Sequence, residues 1–158
     1  MTFIVDILWH FAKWSEATPL GKAIRNSEYA FPMIEFVHLA GLAVIGGAVL
    51  IVDMRLLGFG LKKTSVAQLA KDAQPYVTGS LIVMLVTGAM LYSSEATKCY
   101  ASAAFWIKMI SLVLAMIFTY TIKKRVAARD HESVLVGAMS ILLWFGVAWG
   151  GRWIGFGG

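Results

Sequence analysis

The stretch FPMIEFVHLAGLAVIGGAVLIVDMRLLG, residues 31–58, decides the fold of this chain. It is apolar enough to cross the hydrocarbon core of a bilayer, which takes about 20 residues of α-helix. Its ionisable side chains before the final basic residue are Glu35, His38 and Asp53. Such side chains are costly at membrane depth and normally face a bundle interior or a water-filled cavity. We therefore expect a site on the inward face of this helix.

The composition of the whole chain is that of an integral membrane protein. Its 158 residues are 59% hydrophobic and 15% charged. The runs long and apolar enough to span a bilayer lie at about 30–55, 76–92, 103–122 and 133–153. They are continuous, whereas the strands of a membrane barrel alternate polar with apolar residues. The sequence predicts an all-α fold, an integral membrane four-helix bundle over residues 29–158.

Residues 1–28 form a separate, amphipathic segment. One helical face is apolar, with Ile4, Ile7, Leu8, Phe11 and Trp14, and the opposite face is polar, with Asp6, His10 and Lys13. This pattern predicts a helix in the membrane interface. We expect it to be retained and not cleaved as a signal peptide, because Asp6 interrupts the apolar run and no small-residue cleavage site follows. Thr18 before Pro19 predicts the N-cap of a second short helix.

Basic residues set the expected orientation. Eight of the fourteen lie in the loops after the first and third spans: Arg55, Lys62, Lys63, Lys71, Lys123, Lys124, Arg125 and Arg129. The positive-inside rule places both loops in the cytoplasm and both termini in the periplasm of a bacterial inner membrane. This topology accounts for the net charge of +5, so no nucleic-acid partner is expected. Residues 64–74 predict a short cytoplasmic helix capped by Thr64 or Ser65, with Pro75 starting the second span.

The polar residues of the first span predict a cluster near the outer surface. At 3.6 residues per turn, one stripe holds Glu35, His38, Leu42, Gly46, Val49 and Asp53. Lys108 of the third span and Arg152 of the fourth are expected at the depth of Glu35. One interpretation is structural, with Glu35 paired to Arg152 or Lys108 and His38 hydrogen-bonded in the core.

The other interpretation is a cofactor site. Imidazole is a common ligand of haem iron and of other metals, so His38 is the predicted axial ligand of haem b, with His10 as the possible second ligand. Lys108 and Arg152 would bind the propionates, and Trp144 would flank the cofactor. Thioether sulfurs are alternative second ligands: Met33, Met84, Met90 and Met109. Glycines of the spans would make room for the macrocycle or serve close helix packing.

Other sites are less consistent with the sequence. The Glu35-x-x-His38 motif of di-iron bundles occurs once, whereas those bundles carry two copies and further glutamates. Asp53, near the cytoplasmic rim, is predicted to fix the helix end by pairing with Lys71 or Arg125. The alternative for Asp53 is the inner end of a proton or ion path that starts at Glu35.

The sequence motifs also carry a resemblance to known proteins. They are Arg25-x-Ser27, Phe31-Pro32-x-x-Glu35-x-x-His38, Asp53-x-Arg55-x-x-Gly58 and Gly151-Arg152-Trp153. Over nearly its whole length the chain resembles a family of short bacterial four-span membrane proteins of unassigned function. It is more loosely similar to the membrane domain of CopD-type copper-resistance proteins. Neither resemblance implies a settled activity, and the chain lacks a periplasmic cluster of histidines and methionines.

Three classes of function follow from the sequence. The first is a redox-linked subunit that binds b-type haem near the periplasmic face for electron transfer. The second is a structural accessory subunit of a larger membrane complex or homo-oligomer, in which the polar cluster only stabilises the bundle. The third is a transporter of a metal ion, proton or small solute. We adopt the first as the prediction.

Overall fold

The computed structural model describes residues 2–60 and 63–154, with side chains from residue 6 onward. Over these residues the chain forms helices and no strand. The elements are α1 (Thr2–Ala17), α2 (Pro19–Asn26), α3 (Ala30–Leu56), α4 (Val66–Ser94), α5 (Ala96–Ala101), α6 (Ala103–Phe118), a π-helical turn (Thr119–Lys123), α7 (Lys124–Ala128) and α8 (Val134–Ile154).

Among the described residues, four helical runs are long and apolar enough to cross a membrane, namely α3, α4, the continuous run Ala103–Ala128 and α8. The chain is a multi-pass membrane protein, and the predicted all-α four-helix bundle is confirmed. Helix α3 packs closely on α4 and on α8, and α8 packs on α6. Among the described helices, α4 and α6 are not a closely packed pair. The space between these two helices is therefore available for cavities.

The second span begins earlier than predicted. Helix α4 starts at Val66, and the Ser65 hydroxyl accepts a hydrogen bond from the amide of Gln68, which confirms Ser65 as the N-cap. The helix continues through Pro75, so the separate helix predicted over 64–74 is wrong, and Pro75 does not start the helix of the second span. Pro75 is exposed on the helix surface, and membrane helices tolerate proline where the freed carbonyl finds another partner.

The N-terminal segment packs against the end of the bundle where α4 ends and α5 lies. Helix α1 contacts α5 and α4, and α2 contacts α4. The hydroxyl of Thr18 accepts a hydrogen bond from the amide of Gly21, which confirms the predicted N-cap. Phe11 and Trp14 are 52% and 64% exposed, whereas Ala12 of the same helix is buried. The apolar face of α1 is thus open to its surroundings, as a helix in the lipid interface requires. Ile4 lies outside the described side chains.

Glycines allow several of the helices to approach closely. A Cβ atom at Gly150 would lie 2.9 Å from backbone atoms of Ala104 and Lys108, and one at Gly137 would lie 3.1 Å from the carbonyl oxygen of Asp53. These contacts join α8 to α6 and to α3. A Cβ atom would meet no atom within 4 Å at three other glycines of the described helices: Gly46, Gly47 and Gly79. The packing interpretation therefore holds for Gly137, and Gly150 serves close packing in the same way.

Candidate functional site

His38 lies on the buried face of α3, toward α4, and is 8% exposed. Its Nδ1 atom is 2.8 Å from the hydroxyl oxygen of Thr87, and that hydroxyl is 2.7 Å from the carbonyl oxygen of Val83. A hydroxyl has one hydrogen, which Thr87 donates to Val83. His38 must then donate from Nδ1, and its Nε2 atom keeps a free lone pair. We assign this tautomer from the hydrogen-bond network.

Lys108 of α6 approaches the same imidazole from the other side. Its Nζ atom is 3.4 Å from His38 Nε2, so Lys108 donates toward the lone pair that the tautomer leaves there. The ion pairs formed between described residues do not include Lys108. Its amino group is therefore a hydrogen-bond donor with spare capacity in a largely apolar site.

A cavity of about 360 Å³ opens next to this pair, between α4 and α6. His38, Lys108 and Tyr92 bring polar atoms to a wall that is otherwise apolar. The remaining lining residues are Leu81, Met84, Leu85, Gly88, Ala89, Phe105, Met109 and Leu112. Leu85 and Met109 are also exposed on the outside of the bundle, so the cavity adjoins the lipid.

Gly88 is required where α4 passes the histidine. A Cβ atom at this position would lie 3.2 Å from His38 Cε1 and 3.8 Å from Nδ1. Any larger residue would press on the ring and disturb its hydrogen bond to Thr87. Of the glycines considered for a macrocycle, Gly88 is the one that lines this cavity in the described structure.

The structure brings two of the predicted site residues together, His38 and Lys108. His10 is exposed on α1, Arg152 is exposed at the end of α8, and neither lines the cavity. Trp144 is buried deeper in the core, where its indole N–H donates to the hydroxyl of Thr119 at 3.2 Å. Thr87 was missed because a hydroxyl in an apolar run carries no signal without a known neighbour.

The prediction that Glu35 faces the bundle interior is wrong, because Glu35 is exposed. Glu35 and Asp53 are 18 residues apart (53 − 35), which is five turns of helix, so they point in the same direction from α3. Yet Asp53 is fully buried. Gly137 allows α8 to pack against the backbone at Asp53. Burial therefore depends on which helix packs beside a residue at its position along α3, and helical periodicity alone does not predict it.

Asp53 belongs to a second polar cluster at the opposite end of the bundle. Lys123 Nζ lies 2.6 Å from Asp53 Oδ1, 3.2 Å from the hydroxyl of Ser140 and 3.4 Å from the carbonyl oxygen of Val49. Asp53 and Ser140 are 0% exposed and Lys123 is 5% exposed. The predicted partners Lys71 and Arg125 are wrong, and the pair lies inside the bundle, not at its rim.

Lys123 was missed because the third span is longer than predicted. The prediction ended this span at residue 122, which left Lys123 in a basic loop, whereas the helical run continues through a π-helical turn to Ala128. Single π-helical turns occur frequently at functional sites. Because Lys123 of the ion pair lies in this turn, the turn is a second candidate site.

Cys99 of α5 is a free, partly buried thiol. Burial, and secondarily the carboxylate of Glu95, raises the pKa of this thiol above its ordinary value. The thiolate, which is the nucleophilic and metal-binding form, is therefore disfavoured at neutral pH. Across residues 2–60 and 63–154, no group of three or more His, Cys, Asp and Glu residues is placed to hold a metal ion.

We expect Lys123→Met to lower the free energy of unfolding by about 3–5 kcal/mol, because it leaves the buried carboxylate of Asp53 without a counter-charge. Asp53→Asn combined with Lys123→Met should recover most of this loss. Thermal unfolding in detergent compares the stability of both variants with that of the wild type, and Arg125→Met, at an exposed position of the same helical run, is the control. A double variant as unstable as Lys123→Met alone would contradict the expectation.

The comparisons with known proteins concern the family. No curated protein and no solved structure matches the chain. The model of a family of unknown function, DUF6644, matches residues 11–157, which is nearly the whole chain and includes both polar clusters. The chain therefore belongs to the DUF6644 family.

Proposed function

We propose that this protein is a redox-linked membrane subunit that binds b-type haem in the His38 cavity, with His38 Nε2 as the axial ligand. One observation carries the proposal: a buried imidazole has its Nδ1–H bound to Thr87 and its Nε2 lone pair directed at the cavity side. Histidines that bind metals almost always donate their other N–H to a protein acceptor. Thr87 occupies that role here.

The cavity also offers a candidate for the second axial position. Of the four methionines considered from the sequence, Met84 and Met109 line the cavity together with His38. Met84 is 5% exposed and Met109 is 37% exposed. Methionine paired with histidine raises the reduction potential of a haem. A thioether partner agrees with the described structure better than His10, which is exposed on α1.

Two features bear on how well the site fits a haem. The imidazole of His38 and the nearby thioethers are suitable ligands for haem iron. However, Lys108 contacts His38 Nε2, so its flexible side chain would have to turn away before iron could bind there. The propionates would then be natural partners for its charge. A Cβ atom at Gly151 would lie 3.7 Å from Lys108 Cε, which supports the same role for the neighbouring Arg152. Bound haem would supply one-electron chemistry, and the chain's residues would hold and orient it.

The first test is the visible absorption spectrum of detergent-purified protein from haem-replete cells, oxidised and reduced. We expect a Soret band with reduced α and β bands, lost in His38→Ala because the axial ligand is gone. His10→Ala is the matched control and should keep the spectrum. Thr87→Val should retain haem but shift its midpoint potential, because Thr87 tunes the ligand through Nδ1. Colourless wild-type protein would overturn the haem proposal.

A membrane quinone is the second candidate for the redox group, and the position of Lys108 favours it. A quinone carbonyl is an acceptor for the spare N–H groups of Lys108, and needs no vacant lone pair on His38. The cavity of about 360 Å³ adjoins the lipid through Leu85 and Met109, which suits a ligand dissolved in the bilayer. It lies within the usual range of small-molecule sites.

Equilibrium binding of a short-chain ubiquinone to detergent-purified protein that contains no haem tests this candidate. Lys108→Met should weaken binding about tenfold, because it removes one buried hydrogen bond. Lys98→Met, at an exposed position of α5, should leave binding unchanged. Equal affinities of the two variants, at matched elution profiles, would contradict a quinone site and leave an accessory subunit as the better interpretation.

We also propose the bacterial inner membrane as the location, with both termini in the periplasm. The bundle end formed by Arg55, Lys71 and the 123–129 segment carries more basic residues than the other end, which supports this orientation. Exposed aromatic residues gather at the opposite end, with Trp14, Trp106 and Trp149 among them. We likewise propose that the protein is bacterial and that it is related to CopD-type membrane domains.

Reporter fusions test the orientation. Alkaline phosphatase folds only outside the cytoplasm, so we expect it to be active when joined after residue 154 and inactive when joined after residue 130. Green fluorescent protein at the same two points should give the reverse pattern. The opposite pattern would reverse the orientation and place the His38 cavity on the cytoplasmic side.

A further inference from the structure

A second cavity, of about 500 Å³, lies at the opposite end of the bundle from the His38 cavity. It is formed by α3, α4 and the helical run from the π-helical turn into α7. Six alanines supply much of its wall: Ala48, Ala67, Ala70, Ala73, Ala127 and Ala128. Its lining, as far as the structure describes it, includes three lysines and no carboxylate. The cavity therefore combines an apolar wall with a positive charge.

The three lysines differ in what they can offer a ligand. Lys123 forms an ion pair with Asp53 and donates to Ser140 and the carbonyl of Val49, so its charge is neutralised and its stem forms part of the wall. Lys71 and Lys124 are exposed, and the ion pairs among the described residues include neither of them. These two lysines are thus available to an anion at the mouth of the cavity.

The other polar side chains of the lining form hydrogen bonds within the protein. Gln74 donates to the hydroxyl of Thr78 at 3.1 Å, and that hydroxyl is 3.0 Å from the Tyr120 hydroxyl. Thr119 accepts the indole N–H of Trp144. Beyond the lysines, the cavity therefore presents little unmet hydrogen-bonding capacity and acts as an apolar surface.

The shape of the cavity selects an elongated ligand. Its lining on α4 extends from Ala67 to Thr78, a separation of eleven residues (78 − 67) or about 16 Å along the helix axis. Free phosphate could contact the lysines but would leave most of this length empty. A ligand that is anionic at one end and apolar along its length matches both parts.

We propose that this cavity binds an anionic phospholipid, with the phosphate between Lys71 and Lys124 and an acyl chain along the alanine wall. Basic pockets between membrane helices on the cytoplasmic side are known to take the head groups of acidic lipids. The Asp53–Lys123 ion pair contributes by holding α3 against the π-helical turn that forms the back of the cavity. This site is independent of the ligand in the His38 cavity.

Native mass spectrometry of the whole chain in detergent tests the site with phosphatidylglycerol, phosphatidylcholine and inorganic phosphate as separate probes. We expect phosphatidylglycerol to bind more tightly than phosphatidylcholine, because the lysines recognise net negative charge. Lys71→Gln with Lys124→Gln should weaken phosphatidylglycerol binding about 30-fold, from about fivefold for each lysine near a membrane surface. Inorganic phosphate should not displace the lipid.

Two further variants separate this site from general attraction of lipid to a basic surface. Lys63→Gln with Arg129→Gln removes the same charge from exposed positions at the same end and should leave affinity nearly unchanged. Ala73→Phe should weaken lipid binding with both lysines intact, because it fills the apolar wall. Equal losses in the two double variants, equal binding of the two lipids, or displacement by phosphate would each overturn the proposal.

Discussion

The Asp53–Lys123 ion pair is the interaction on which the interior of this bundle depends. A single buried charge inside a membrane helix is strongly unfavourable, so each of these residues requires the other. The pair joins the first span to the third, and Ser140 brings in the fourth through its bond to Lys123. Gly137 completes the arrangement, because α8 can reach the backbone of Asp53 only where a side chain is missing. One ion pair thus sets the relative positions of three spans.

Both polar clusters repeat one arrangement, a polar residue of the first span facing a lysine of the third. His38 and Asp53 are 15 residues apart, and so are Lys108 and Lys123 (53 − 38 and 123 − 108). The two spans run in the same direction, so equal spacing keeps both pairs in register about 22 Å apart. Close packing between α4 and α6 is missing among the described helices, and this leaves room for a cavity beside each pair. The two proposed ligand sites share this structural origin.

The success of the sequence predictions depended on whether local chemistry sufficed. Thr18 and Ser65 are correct as N-caps, because a cap is satisfied by an amide three residues away. Lys108 was predicted at the depth of Glu35, and it contacts His38, which lies within one helical turn of Glu35. The burial predicted for Glu35 and the partners predicted for Asp53 were wrong. Both depend on which neighbouring helix packs against α3 at the position of each residue. The π-helical turn that extends the third span had no recognisable sequence signal.

The sequence by itself determined that the chain crosses a membrane as four helices, because a long apolar run must satisfy its backbone hydrogen bonds internally. It also determined that the ionisable residues of the first span would need a polar environment. Only the tertiary structure decided which of them are enclosed and with which partners. The physical reason is that burial depends on the neighbouring helices. Periodicity sets the direction in which a side chain leaves its own helix. The packing of the whole bundle decides that Thr87 and Lys108 contact His38 and that Lys123 contacts Asp53.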